Sequence, residues 1–134
     1  MTPENIARAK RAVRCSAWRW LPGMRWIAVV TDDDGEEYED GAEGRIVDGY
    51  GDDADEAGLP DLTDAATLGA LLGLVRRAWG PATWVQPYAD GSQWRVHRWQ
   101  PDPAEPWGGV LPECVGASEG EALVAALVEG ARAP

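Results

Sequence analysis

Asp61-Leu62-Thr63-Asp64-Ala65-Ala66-Thr67-Leu68-Gly69-Ala70-Leu71-Leu72-Gly73-Leu74-Val75-Arg76-Arg77-Ala78-Trp79-Gly80 carries the clearest local signal in this chain. Asp61 suits the capping position of a helix, and Asp64 follows three places on, where the positive end of a helix favours a carboxylate. Leu68, Leu71, Leu72, Val75 and Trp79 recur at the spacing of one apolar helix face. This pattern predicts a helix with Leu72 buried in mid-stripe. Gly69 and Gly73 predict a small-residue groove for close approach of another element, each costing about 1 kcal/mol of helix propensity against Ala. Gly80-Pro81 stops the helix.

Downstream, residues 83–88 and 92–99 read as two strands turned at Asp90-Gly91, a strong hairpin dipeptide. Pro87 has no N–H to give a ladder, which assigns its strand to a sheet edge. Residues 100–112 hold four prolines and read as loop. Ser118 and Glu121 form a capping box for a last helix, with Leu123, Ala126 and Leu127 facing inward and Gly130 at its end.

Upstream, Thr2 and Pro3 open a helix running to about residue 15, with Ile6, Ala9 and Val13 as a narrow stripe. Its Arg8, Lys10, Arg11 and Arg14 repel one another mildly, a cost best tolerated beside acidic residues. Leu21-Pro22-Gly23 reads as a turn. Residues 24–31 then read as a strand containing Ile27, Val29 and Val30. Residues 36–58 are rich in Gly, Asp and Glu and read as mobile loop, except for a strand island at Arg45-Ile46-Val47. The predicted order is α-β-β-α-β-β-α. The expected fold is a single α+β domain, an antiparallel four-stranded sheet with three packed helices.

Charge divides the chain more sharply than structure does. The net charge is −11, yet residues 1–31 carry +5, residues 32–64 carry −14 and residues 65–134 carry −2. Such a block disfavours nucleic acid and membrane as ligands of that surface and favours a basic partner. There is no Phe but there are eight Trp, so indoles must supply most of the large-ring packing. Cys15 and Cys114 are too few for a disulfide framework and are expected to be free thiols. No apolar run reaches the length of a membrane span, and the first residues lack the plan of a signal peptide, so a cytoplasmic protein is expected.

No motif carries catalytic chemistry at a specific spacing. Asp32, Asp34 and Glu36 alternate as a calcium-binding loop begins, and Glu43 falls at the twelfth place, but Glu37 stands where the obligatory Gly belongs. His97, the single histidine, shares a strand face with Arg95 and Trp99, and neighbouring cations make it a poor base. A hydrolase built from His97 with Cys15 or Cys114 has nothing local to support it. Trp84, Trp94, Arg95, His97, Arg98 and Trp99 could stack a purine and hold a phosphate, or simply fill the core. No Gly-rich phosphate loop precedes a helix.

Residues 60–80 together with Trp94-Arg95-Val96 and Glu119-Gly120-Glu121-Ala122-Leu123-Val124-Ala125-Ala126-Leu127 carry a resemblance. Over roughly residues 60–130 the chain resembles small proteins of bacterial viruses and prophages, and is similar to the phage ABA sandwich domain. The resemblance implies viral origin, helices around a sheet and no known catalytic residues. With the charge layout, it leads to an expected function as a non-enzymatic inhibitor of a host defence system, an anti-CRISPR-like DNA mimic without cofactor, in the cytoplasm of the infected host. The expected partner is a basic host protein, met by Asp32, Asp33, Asp34, Glu36, Glu37, Glu39, Asp40, Asp52, Asp53 and Asp55. Two alternatives stand beside it: a sponge for a nucleotide immune signal at the Trp/Arg hairpin, and an accessory structural viral protein. Homo-oligomerisation is left open.

Overall fold

The structure is a computed structural model. It describes residues 1–47, 58–102 and 105–132, with the side chains of 99–102, 105–113 and 132 left out. The chain divides into two compact units, Met1–Ala70 and Leu71–Pro134, each built from helix and antiparallel sheet.

The first unit begins with α1 (Pro3–Arg14), followed by β1 (Arg25–Thr31), β2 (Glu37–Arg45) and β3 (Gly58–Pro60). Thr2 caps α1, its hydroxyl accepting from Asn5 N at 3.1 Å, and Pro3 occupies the first turn as expected. Ile6, Ala9 and Ala12 are the buried side of α1, while Val13 is half-buried. The sheet order is β2-β1-β3, with both neighbours antiparallel to β1.

Residues 37–45 are therefore a strand and not the loop their composition predicts. Register explains it: the apolar strand β1 pairs Val29 with Glu39, Val30 with Tyr38 and Ile27 with Glu43. The backbone ladder and the partners of the carboxylates outweigh weak strand propensity. The expected island is displaced, since Arg45 ends β2 and Ile46, 2% exposed, lies just beyond it as a core residue. β3 is too short to show a period in sequence.

α2 (Ala65–Trp79) departs from expectation in three respects. Asp64 and not Asp61 caps it, Asp64 Oδ2 accepting from Thr67 N at 3.0 Å. Leu72 is only half-buried, whereas Thr67, Leu71, Leu74 and Val75 form the buried side. Thr67 is buried, its hydroxyl donating to Asp64 Oδ2 and accepting from Arg25 N at 2.8 Å. A Cβ added at Gly69 or Gly73 would meet nothing within 4 Å, so neither glycine marks a close approach.

The second unit holds the rest of α2, then β4 (Thr83–Tyr88), β5 (Gln93–Asp102), β6 (Glu105–Gly116) and α3 (Glu119–Arg132). β4 and β5 form the predicted hairpin. Its turn carries three consecutive residues of positive φ, Ala89, Asp90 and Gly91, and Ser92 Oγ donates to Ala89 O at 2.7 Å. The order β4-β5-β6 puts Pro87 on an edge strand. Residues 105–116 are a strand where loop was expected; Pro106 and Pro112 lie on β6, an edge where a missing N–H is tolerated.

The four-stranded sheet expected from sequence is thus two three-stranded antiparallel sheets, and the α+β class holds. α3 begins with the capping box, Ser118 Oγ accepting from Glu121 N, while the Glu121 carboxylate accepts from Ala117 N. It does not end at Gly130. That glycine makes room for the Trp79 indole, which an added Cβ would approach to 2.6 Å, and Trp79 Nε1 donates to Ala126 O.

Gly116 closes β6 against the start of α3. A Cβ there would lie 2.6 Å from Ala122 N, a backbone atom that cannot yield without moving the helix. Gly116→Ala is expected to cost about 1–3 kcal/mol. The measurement is the urea midpoint at constant m value. A midpoint equal to that of the unchanged protein would show that the start of α3 shifts freely.

Candidate functional site

The β1–β2 hairpin presents most of the acidic residues singled out in the sequence, and it sorts them into three groups. Asp32 builds the turn. Its Oδ1 accepts from Asp34 N at 2.9 Å and from Glu36 N at 2.8 Å, and its own N–H donates to Glu36 O. Gly35, with φ +84°, allows the reversal. The stretch whose spacing only partly matches a calcium loop forms this turn and β2, and among the described residues no three His, Cys, Asp or Glu side chains stand together to hold a metal ion.

The second group is neutralised within the unit. Glu37 pairs with Lys10 of α1, Glu39 with the amino group of Met1, and Glu43 with Arg25 of β1. The cationic helix therefore offsets part of the acid strand, the arrangement that makes both sequences tolerable. These glutamates occupy alternate positions of β2, so they share one side of the sheet.

Asp33, Asp34, Glu36 and Asp40 form the third group. All four are exposed, and none forms an ion pair with a described residue. Asp40 Oδ1 accepts from Ala42 N at 3.1 Å, which fixes the carboxylate beside the irregularity in the β1–β2 register. Asp52, Asp53 and Asp55 lie outside the described residues.

A carboxylate–arginine clasp holds the base of this hairpin. Arg25 Nη1 donates to Asp61 Oδ2 at 2.7 Å, and Asp61 Oδ1 accepts from both Thr63 N and Thr63 Oγ1. Arg45 grips Asp64 through two nitrogens, at 2.8 and 2.9 Å. The Arg45 bonds pull the Asp64 carboxyl far below the usual carboxylate range, burial opposes that shift, and the Thr67 N–H and hydroxyl reinforce it. Glu43, and after it Asp61, hold Arg25 still more firmly in its charged form. Trp26 lies against Gly44, where an added Cβ would come within 2.9 Å of the indole nitrogen. A cleft of about 260 Å³ opens beside Arg25, Asp61 and Asn5, with charges of both signs on its walls.

The Trp/Arg set of the second unit does not form one surface. Register pairs Trp84 with His97 and Gln86 with Arg95, placing Trp84, Arg95 and His97 on one face, while Trp94 and Arg98 alternate to the other. On the first face the groups serve one another. Trp84 stacks on His97 at 5.2 Å, Tyr88 Oη meets His97 Nε2 at 3.0 Å, and Arg95 lies 4.4 Å over the Tyr88 ring while donating to Gln93. His97 is 4% exposed. On the other face Arg98 donates to Trp79 O and lies over the Trp79 ring. The side chain of Trp99 lies outside those described. Cys114 pairs across from Val96, on the face opposite His97, and burial pushes its thiol above the usual range, with Glu129 adding to the shift.

Sequence reasoning missed three features: the clasp of Arg25 and Arg45 on Asp61 and Asp64, the ring contact of Tyr88 with His97, and Tyr38. Tyr38 alternates with Glu37 and Glu39 on β2 and is 50% exposed. Its signal was present, an aromatic residue inside an acid run, but it became legible only once the run was a strand. No helix among the described residues is long and apolar enough to cross a membrane. Compared with protein families, curated proteins and solved structures, the chain matches none.

Proposed function

We propose that this chain is a non-catalytic binding protein whose working surface is the tip and outer side of the β1–β2 hairpin, and whose partner is a basic, nucleic-acid-binding protein. The observation that carries this reading is the third group of carboxylates. Asp33, Asp34, Glu36 and Asp40 are exposed, form no ion pair with a described residue and stand on a hairpin whose turn is held by Asp32. A fixed display of charge binds better than a mobile one, because less freedom is lost on association. We place that partner in a host defence system, with the hairpin imitating DNA.

The test is a variant with Asp33→Asn, Asp34→Asn, Glu36→Gln and Asp40→Asn together. Binding of a fluorescent nona-arginine peptide is expected to weaken with rising salt for the unchanged protein and to fall at least about tenfold in the variant. The fold is expected to remain, since like-charge repulsion declines. The same pair is then expressed in bacteria challenged with a virus, where only the unchanged protein should favour infection against an active defence system. Equal binding and equal infection would remove this reading.

The nucleotide-sponge reading has less support, because Trp84, Arg95 and His97 are engaged with one another and Trp94 and Arg98 face the other way. It remains separable by experiment. A nucleotide released on denaturing the purified protein, together with loss of activity on Arg95→Ala and Trp84→Ala, would favour it over the acidic surface.

A further inference from the structure

We infer that Tyr38, with Asp40 beside it, is the anchor of the acidic surface and accepts an arginine side chain of the basic partner; this rests on the reading proposed above. Among the described residues Tyr38 is the one exposed aromatic side chain. The described tryptophans and Tyr88 are half-buried or buried. The chain has no Phe, and its other described rings are at least half-buried, so Tyr38 is the ring this surface offers to solvent. Tyr38 pairs with Val30 on β1, so the register holds it in place. A tyrosine fixed by a strand offers large contact area at small entropic cost, which is why such residues dominate the energetics of interfaces.

The surroundings select the occupant. Asp40 lies two positions along β2, where the regular pairing with β1 gives way to the register irregularity. One of its oxygens is held by Ala42 N–H, and the other has no partner among the described residues. Asp33, Asp34 and Glu36 keep the local field negative and are exposed. A guanidinium can lie flat on the Tyr38 ring, within about 6 Å of its centre, and turn its N–H edge to the Asp40 carboxylate. An ammonium can use the charge but stacks less well, so arginine is preferred over lysine. An apolar or acidic partner satisfies neither element.

The experiment compares nona-arginine with nona-lysine at physiological salt, using the unchanged protein, Tyr38→Ala, Tyr38→Leu and Tyr38→Phe. The unchanged protein is expected to prefer the arginine peptide. Tyr38→Ala and Tyr38→Leu should each weaken arginine binding about two- to fivefold and remove the preference, and Tyr38→Phe should keep it. Tyr38→Leu retains an apolar strand residue, so it reports on the ring even if the alanine variant loses its fold. Arginine binding by Tyr38→Leu equal to that of the unchanged protein would overturn the inference while leaving the charge-based reading intact. Binding that persists in the four-carboxylate variant would overturn that reading instead.

Discussion

Leu71→Ala is expected to lower the stability of the protein by about 2–5 kcal/mol, the range for a truncated leucine in a packed interior. Leu72→Ala is expected to cost only about 1 kcal/mol, since its side chain is half-buried and gives up about half of a leucine's transfer free energy. Leu71 is 0% exposed and shares the buried side of α2 with Leu74 and Val75. The two substitutions delete the same atoms from adjacent positions of one helix, so propensity and chain entropy cancel in the comparison. Urea unfolding followed by tryptophan fluorescence measures the difference. Equal losses, or a larger loss at Leu72, would mean that the helix buries the side predicted from its leucine spacing.

Asp64→Ala is expected to cost about 1–3 kcal/mol, combining the loss of a helix cap with that of an ion pair exposed chiefly on its Arg45 side. It also takes an acceptor from Thr67, which is 0% exposed. The same residue gives the protein a defined pH dependence. The folded-state pKa of Asp64 lies far below its usual 3.8, chiefly because Arg45 donates to it. A carboxyl whose pKa is depressed by folding binds fewer protons in the folded state than in the unfolded one. Its stabilisation is therefore complete above the unfolded value and is lost as pH falls through and below it towards the folded value. Thermal midpoints of the unchanged protein should drop between about pH 4 and pH 2, and Asp64→Asn should flatten that fall. An identical pH slope in the two proteins would show that Arg45 does not engage Asp64 in solution.

Elements with strong local chemistry are legible in the amino-acid order itself. Thr2-Pro3 starts α1, Asp90-Gly91 turns the β4–β5 hairpin, and Ser118 with Glu121 starts α3, because each signal depends on atoms only a few residues apart. Of the site, the abundance and position of the acidic residues are plain in the sequence. Their division into turn-builder, neutralised glutamates and unpaired carboxylates is not, since that depends on where Lys10, Arg25 and Met1 come to lie.

The chain by itself determined its α+β class, three helices, the central hairpin and a concentrated negative charge. Tertiary structure decided that the acid run is a strand, that two sheets of three strands replace one of four, and which side of α2 is buried. The physical reason is shared by all three. Strand pairing is a contact between distant residues, so a poor β former such as Glu37–Arg45 is recruited once β1 offers an apolar partner and cations accept its charge. In α2 the leucines run round most of the helix, so periodicity alone leaves its orientation ambiguous. The Thr67 hydroxyl accepts from Arg25 N, 42 positions away, and Thr67 and Leu71 are buried where Leu68 and Leu72 are half-buried.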